Sequence, residues 1–318
     1  MTRFVVCGVL AVSVWFSAGV AAQQEPVIRS RSEIVRVFVT VTDRDGHLVT
    51  NLLENDFEAR DDGKPQPIAV FDNSPKPIEL ITLLDVSGSM QGNLPLLRAA
   101  SEQLFMRLGA DDTARLGTFG RSIDIGPEFT HDVSALMSSL PREIAPDAPT
   151  PLWTAVGEAM NLFKDDPAEK RRIVLVLTDG QDSGPTSLKK KWVSPAEVID
   201  RARAEDVMIY AVGMQSRSGQ PRQIGLGAEG LKQALSQDLP DPALAKVAEE
   251  SGGGYTEIRY GQDLAGAFTR VADEIHSQYL LGYTPPKRDG KVHHIDVRVS
   301  KSGVKPRARK SYVAPSDK

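Results

Sequence analysis

The chain has 318 residues, of which 41% are hydrophobic and 25% are charged, with 38 basic and 42 acidic side chains. This composition is typical of a globular protein with a buried core, and it excludes collagen-like and low-complexity chains. The near balance of charge argues against a general nucleic-acid binder, which would carry a basic excess. The single cysteine excludes a disulfide scaffold.

Residues 1–22 have the three-part pattern of a secretory signal peptide. Arg3 gives a positive start, residues 4–20 are apolar and uncharged, and small residues end the run at Ala22. An uncleaved membrane anchor is the alternative, because the run is nearly long enough to span a bilayer. Cleavage near Ala22 predicts a secreted or periplasmic protein with no transmembrane segment after processing. The pattern does not distinguish the periplasm from the cell exterior.

The segment 23–77 is expected to form a small β unit. β-forming residues alternate partly with other residues over 34–41, and a further short strand is expected at 68–71. Asp-Gly pairs at 45–46 and 62–63 are turn signals between these stretches.

The segment 78–275 alternates between apolar strands and amphipathic helices. The clearest buried strand is IVLVL at 173–177, and a second continuous apolar strand is expected at 78–84. Such strands between helices predict an α/β fold, a doubly wound and mostly parallel sheet with helices on both faces. Further strands are expected at 115–119, 123–129 and 207–212, and helices at 94–108, 153–163, 195–204, 242–250 and 264–275.

The segment 276–318 becomes β-like again. Apolar and polar residues alternate over 295–299, after an Asp-Gly turn signal at 289–290. The two flanking β segments, 23–77 and 276–318, could therefore pack together, with the central domain inserted between them.

Polar residues follow the buried strands at the carboxyl edge of the predicted sheet, where doubly wound folds bind ligands. Asp85, Ser87 and Ser89 come directly after the first central strand, Asp179 follows the strand at 173–177, and Thr150 opens a helix between them. Their carboxylates and hydroxyls are the ligands that a hard divalent cation prefers. This set would leave one coordination position open for an acidic ligand group. The alternative is that Asp85, Ser87 and Asp179 cap the helices that follow.

These residues resemble the metal-ion-dependent adhesion site of the von Willebrand factor type A (VWA) domain. The pattern of that site is D-x-S-x-S, then a threonine, then an aspartate. Asp85, Ser87 and Ser89 match the first part, Thr150 lies in APTPLWTA, and Asp179 lies in LVLTDG. The resemblance implies a Rossmann-like VWA fold and a bound divalent cation. We expect Mg²⁺, with Mn²⁺ or Ca²⁺ as alternatives.

The similarity to VWA domains extends over about 78–275, including AVGM at 211–214 and SGGGYTEI at 251–258. The flanking stretches VTDRDGHLVTNLLENDFEARDDGKPQPIAVF and QYLLGYTP resemble the VWFA-related proteins of acidobacterial type. Those proteins are exported and mostly uncharacterised, so the resemblance implies a fold and a metal but no particular partner.

Three functions are compatible with this sequence. The favoured one is a metal-dependent protein-binding or adhesion module, whose cation binds a carboxylate of a protein partner. The second is a structural or assembly protein that binds through its β flanks, for instance at exposed strand edges. A metal-dependent hydrolase is less favoured, because no histidine lies near the site motifs and no G-x-S-x-G occurs. We therefore expect no enzymatic activity. The oligomeric state is open.

Two long segments, 181–194 and 215–240, follow strand ends and could frame the metal site. The lysines at 189–191 in the first could steer an acidic partner or simply be solvated. His293 and His294 are neighbours on a strand and face opposite ways, which argues against a shared metal.

Overall fold

The computed structural model describes residues 34–163, 170–184, 192–215, 239–259 and 263–316. The predicted signal peptide, the lysines at 189–191 and most of the segment 215–240 lie outside these residues. Among the described helices, none has the length and apolar character needed to cross a membrane.

Over the described ranges the chain forms fourteen strands and six α-helices. The strands are β1 (Val35–Asp43), β2 (Phe57–Asp61), β3 (Lys64–Gln66), β4 (Val70–Asp72), β5 (Ile78–Asp85), β6 (Thr113–Phe119), β7 (Ile123–Ile125), β8 (Arg171–Thr178), β9 (Val207–Met214), β10 (Tyr255–Ile258), β11 (Tyr279–Tyr283), β12 (Val292–Val299), β13 (Val304–Arg307) and β14 (Ser311–Val313). The helices are α1 (Leu94–Phe105), α2 (Val133–Ser138), α3 (Leu152–Met160), α4 (Pro195–Glu205), α5 (Ala243–Ser251) and α6 (Leu264–His276).

The central sheet has six strands in the order β10-β9-β8-β5-β6-β7. All neighbouring pairs are parallel except β6 and β7, which are antiparallel. Every residue of β9 and all but one residue of β8 are buried, as expected for parallel strands covered on both faces. The predicted doubly wound α/β fold is therefore confirmed.

Two hydrophobic cores lie on opposite faces of this sheet. Helices α1 and α6 bury Leu97, Leu104 and Phe268 in one core. Helices α3, α4 and α5 supply the other core, which includes Trp153 and Val247. Helix packing on both faces leaves the ends of the strands as the place where loops can form a site.

The flanking segments form two four-stranded antiparallel sheets, in the orders β13-β1-β11-β4 and β14-β12-β2-β3. β1 pairs with β11 through Val37↔Leu281, and its second half pairs with β13 through Val41↔Pro306. Valines of β1, Tyr279 of β11 and Ile295 of β12 share one core between the sheets. The segments before and after the central region thus contribute to the same hydrophobic core.

Two polar groups, the buried Arg171 and the partly exposed Glu274, join this flanking core to the central region. The Arg171 guanidinium at the start of β8 donates to the carbonyl oxygens of Ile275 and Lys76 and to the side chain of Gln278. It also lies 4.8 Å from the ring centroid of Phe38 in β1. Glu274 in α6 accepts hydrogen bonds from Thr40 in β1, Tyr210 in β9 and Arg307 in β13.

The sequence did not predict α2 or β10. Helix α2 has six residues and buries Leu136 alone, and β10 has four residues of which only Ile258 is buried. Neither is long enough for a hydrophobic period to show. The helix expected at 153–163 ends at Met160, and the strand expected at 123–129 ends at Ile125.

Candidate metal-binding site

The two candidate carboxylates lie at the carboxyl edge of the central sheet. Asp85 is the last residue of β5, and Asp179 follows directly after β8. These strands are neighbours, with Leu84 paired to Leu177, so the two aspartates come to the same edge. The parallel pairing thus brings together residues that are far apart in the sequence.

A chain of hydrogen bonds connects four of the five residues of the site. The Ser87 and Ser89 hydroxyl oxygens are 3.1 Å apart, and the Ser89 hydroxyl donates to Asp179 Oδ1 at 2.7 Å. Asp85 Oδ1 accepts the Ser87 N–H at 2.7 Å, and its Oδ2 accepts the Thr178 hydroxyl. The structure therefore places Asp85, both serines and Asp179 in one connected cluster.

The fifth residue, Thr150, lies beside the same loop. A Cβ built on Gly180 would be 3.2 Å from Thr150 Oγ1, so this hydroxyl adjoins the residue that follows Asp179. Ser183 holds the threonine in place from both sides. Its N–H donates to the Thr150 carbonyl at 2.9 Å, and its hydroxyl accepts the Thr150 N–H at 2.9 Å.

The carboxylates are buried, whereas one end of the cluster is open to solvent. Asp85 and Asp179 are fully buried, Ser87 and Thr150 are nearly so, and Ser89 is exposed. Asp179 Oδ2 is buried and has no hydrogen-bond partner among the described residues. A buried carboxylate oxygen without a donor is costly, by about 1–3 kcal/mol or more for a charged group, unless something else binds it.

The electrostatics of the cluster also favour a bound cation. Burial raises the pKa of Asp85 to about 6, against the hydrogen bonds from Ser87 and Thr178. Burial, together with the neighbouring Asp85 charge, raises the pKa of Asp179 to about 7. A divalent cation between them would favour the ionised form of both carboxyls. The oxygen donors, the unpaired Asp179 Oδ2 and these pKa values fit such an ion.

The helix-capping alternative finds little support here. Ser87 is at the N-cap position of a short 3-10 turn over Gly88–Asn93, but its side chain forms no capping hydrogen bond. Asp85 Oδ1 binds the Ser87 N–H, which orients the serine-bearing loop rather than a helix terminus. The chemistry of the cluster, rather than capping, therefore accounts for these residue types.

The sequence reasoning missed several residues that support the site. Thr178 orients Asp85, and Ser183 fixes the Thr150 loop. Asp182 accepts the Trp153 N–H at 3.3 Å at the start of α3. Asp241 accepts the Asp182 N–H at 3.1 Å. Their partners lie up to 93 residues away in the chain, and no local pattern signals such contacts.

Other carboxylate–histidine groups lie in the β flanks. Asp61 is buried and accepts hydrogen bonds from Tyr283 at 3.0 Å, Tyr312 at 2.7 Å and His293 Nδ1 at 2.8 Å. These donors satisfy the carboxylate without a metal, so the group is a buried hydrogen-bond network. His294, the neighbour of His293, is exposed, so the two histidines do face opposite ways.

A protein-family model described as the von Willebrand factor type A domain matches residues 79–237. The chain belongs to this family. The matched region contains Asp85, Ser87, Ser89, Thr150 and Asp179 and begins within β5. No curated protein matches the sequence significantly.

Solved structures with a similar fold have low sequence identity to this VWA chain. A von Willebrand factor type A protein from Catenulispora acidiphila is 12% identical, covering 91% of this chain and 76% of its own, with a TM-score of 0.48. Proximal thread matrix protein 1 from the mussel byssus, with a zinc-occupied MIDAS motif, is 16% identical over 69% of this chain and 50% of its own, with a TM-score of 0.47. An aerotolerance-related membrane protein from Bacteroides fragilis is 16% identical over 62% of this chain and 98% of its own, with a TM-score of 0.43.

Proposed function

We propose that this VWA protein is an exported, divalent-cation-dependent protein-binding module. The cation is held by Asp85, Ser87, Ser89, Thr150 and Asp179, and a carboxylate of a partner protein completes its coordination shell. Mg²⁺ is the expected ion, with Mn²⁺ and Ca²⁺ as alternatives. The apolar, small-residue-terminated segment 1–22 supports export to the periplasm or beyond the cell.

The observation that carries this proposal is the unpaired Asp179 Oδ2. It belongs to a carboxylate whose other oxygen accepts the Ser89 hydroxyl, and it lies in a cluster whose neutral oxygens come from hydroxyl groups. Buried charges are normally paired or bound to metals. One cation would neutralise the charge of both this carboxylate and the Asp85 carboxylate.

The arrangement suits capture of a partner's acid. When bound, the cation supplies a charge-assisted contact to an anionic oxygen. The protein's own residues hold that position: Asp85 and Asp179 provide buried negative charge, and exposed Ser89 marks the side that faces solvent. A partner carboxylate can approach from that side without disturbing the sheet.

An interaction role fits these residues better than a hydrolytic one. Metal-assisted hydrolysis needs a positioned general base near the metal-bound water. The carboxylate-bonded histidines are elsewhere: His47 pairs with Asp43, His276 with Asp112 and His293 with Asp61. We therefore expect no turnover of ester or phosphoester substrates.

The test is calorimetric titration of the exported protein with Mg²⁺, Mn²⁺ and Ca²⁺. Wild type should show saturable binding at one site. Asp179→Asn keeps the acceptor for the Ser89 hydroxyl but removes the charge, so it should lose binding while remaining folded by circular dichroism. Asp111→Asn is the matched control, because Asp111 is exposed near the start of β6, at the opposite edge of the sheet.

Binding that survives in Asp179→Asn would reject the assignment of the site. Wild type that is folded but binds none of the three ions would reject the cation-dependent function and direct attention to the β flanks. Hydrolysis of generic esters that requires the ion and is lost in Asp179→Asn would favour an enzyme instead.

A further inference from the structure

A large exposed aromatic side chain lies close to the metal-binding cluster. Trp192 is 56% exposed, and Leu239 is 47% exposed. Tryptophan is highly buried on average in folded proteins, and it is enriched among residues that dominate interface energies. We call Trp192 and Leu239 the apolar rim.

Hydrogen bonds hold both residues of the rim to one scaffold. The Trp192 indole N–H donates to Asp182 Oδ2 at 3.2 Å, and the Asp182 N–H donates to Asp241 Oδ2 at 3.1 Å. Leu239 is two residues before Asp241 in the chain. The side chain and backbone of Asp182 therefore link the two exposed residues.

The same scaffold is attached to the metal-binding loops. The Asp241 N–H donates to the carbonyl of Gly180 at 3.1 Å, directly after Asp179. Asp182 Oδ1 accepts the Trp153 N–H, at the start of the helix that follows Thr150. Asp182 is three positions after Asp179 in the chain, a stretch that spans at most about 11 Å. The rim is thus anchored to the loops that carry the metal-binding cluster, at a separation that a short peptide can span.

The chemistry of the rim is apolar. The only polar atom of the Trp192 ring already donates its hydrogen to Asp182, so the exposed remainder of the indole offers carbon atoms. Because this hydrogen bond fixes the ring, a partner would lose less conformational entropy in ordering it. An aliphatic or aromatic side chain is the group that gains from covering such a surface.

We propose that the partner presents an acidic residue with a large apolar side chain close by in sequence, so that the acid binds the cation and the apolar group covers Trp192 and Leu239. This inference rests on the proposed cation-dependent binding. It adds a specificity that the five oxygen ligands alone cannot supply, because an acidic group by itself is common to many proteins.

The test uses an array of short synthetic peptides, each with one central aspartate or glutamate and varied neighbours, bound to the exported protein in Mg²⁺ or in chelator. Mg²⁺-dependent binders should be enriched in aromatic or aliphatic residues within three positions of the acid. The best of these peptides should bind at least about tenfold more tightly than its version with alanine at the apolar position, a difference of about 1.4 kcal/mol.

Trp192→Ala should abolish the apolar preference while the need for Mg²⁺ and for the acid remains, and Trp192→Phe should restore most of it. Leu53→Ala is the matched control, because Leu53 is 70% exposed in the β flank. It should leave the preference unchanged.

Peptide binding should also shift Trp192 fluorescence to shorter wavelength. The shift should be absent in Trp192→Phe, because Trp153 is only 1% exposed and its surroundings do not change when a peptide binds at the surface.

The two levels of the proposal fail in different ways. Mg²⁺-dependent binders that show no apolar preference, or a preference that survives in Trp192→Ala, would overturn the role of the rim alone. A lack of any Mg²⁺-dependent acidic binder to the folded wild type would overturn the proposed function and the rim with it. Self-association of the protein that requires Trp192 and Mg²⁺ would identify a second copy of the chain as the occupant.

Discussion

Gly88 lets the loop after β5 lie against the loop that carries Thr150. A Cβ at this position would be 2.0 Å from the carbonyl oxygen of Pro146, and the Gly88 N–H donates to the Ala148 carbonyl at 3.1 Å. Because the obstructing atom is backbone, the loops must separate in Gly88→Ala. We expect the free energy of unfolding to fall by about 2–4 kcal/mol and cation affinity to fall at least tenfold. Urea unfolding and calorimetry measure the two effects.

Gly92 provides the control for this prediction within the same 3-10 turn. A Cβ at Gly92 meets nothing within 4 Å. The free energy of unfolding of Gly92→Ala should therefore stay within about 0.5–1 kcal/mol of the wild-type value. It could rise slightly, because alanine lowers the conformational entropy of the unfolded chain. If both variants lost the same stability and affinity, the contact between the two loops would not explain the requirement for glycine at position 88.

At the residue scale, a linear motif could indicate the metal ligands but not the residues that support them. Asp85, Ser87 and Ser89 stand out because three oxygen-bearing residues alternate directly after a buried strand. Ser183 and Asp241 carry no such signal, because their roles depend on contacts with Thr150 and Asp182 that only the folded chain creates. The assignment of the five ligands to a metal stays a prediction until an ion is bound.

At the element scale, the sequence predicts structure where burial is continuous. The strand at 173–177 and the stripe of α6 were found because each places apolar residues at a clear period, and the structure confirms both. The sequence did not predict β10, because its pairing with β9 depends on backbone hydrogen bonds and only Ile258 of its four residues is buried. Edge strands of this kind are defined by their neighbour more than by their own sequence.

The end of α6 contains a pH-dependent contact. His276 Nε2 is 2.7 Å from Asp112 Oδ2, and its Nδ1 is 2.8 Å from the Ala272 carbonyl oxygen. Both partners are acceptors, so both ring nitrogens must donate, which requires the charged imidazolium. The hydrogen bond to Asp112 accordingly raises the pKa of His276, although burial acts against it.

Because the pKa of His276 is higher in the folded chain, its stabilisation is fully present below the ordinary histidine value of 6.5 and is lost as pH rises through the folded value. We expect His276→Gln to lower the free energy of unfolding by about 1 kcal/mol at pH 6 and by clearly less at pH 9. Urea unfolding at the two pH values measures this difference. His294→Gln, at an exposed position, is the control and should show no such trend. If His276→Gln lowered the free energy of unfolding equally at both pH values, the charged contact between His276 and Asp112 would be contradicted.

At the scale of the whole molecule, the central region and the β flanks share polar contacts as well as chain connections. Arg171 is buried and starts the central strand β8, yet its hydrogen bonds reach Gln278 and the Lys76 carbonyl beside the flanks. Burial lowers the pKa of Arg171 to about 10, so the guanidinium remains charged at neutral pH. A buried charge whose partners come from the segments that join the two parts should couple their unfolding.

We expect Arg171→Met to lower the free energy of unfolding by about 3 kcal/mol, because the carbonyls of Ile275 and Lys76 and the Gln278 side chain lose their donor. Hydrogen exchange followed by mass spectrometry should show β1 and β11 opening before β8 and β9 in the variant. In wild type the four strands should open together.

The partly exposed neighbour Arg172 provides the control, since its guanidinium donates to the Glu205 carbonyl at 3.2 Å. In Arg172→Met the free energy of unfolding should fall by less than about 1.5 kcal/mol, and the four strands should still open together.

Protection by Mg²⁺ gives a second measurement of the coupling, because a ligand that binds the folded state stabilises every part of the chain that unfolds together with its site. In wild type Mg²⁺ should protect the flanking strands as well as the central sheet, and in Arg171→Met only the central sheet. Flanking strands that are protected equally in both proteins would show that the coupling runs through the apolar contacts instead of through Arg171.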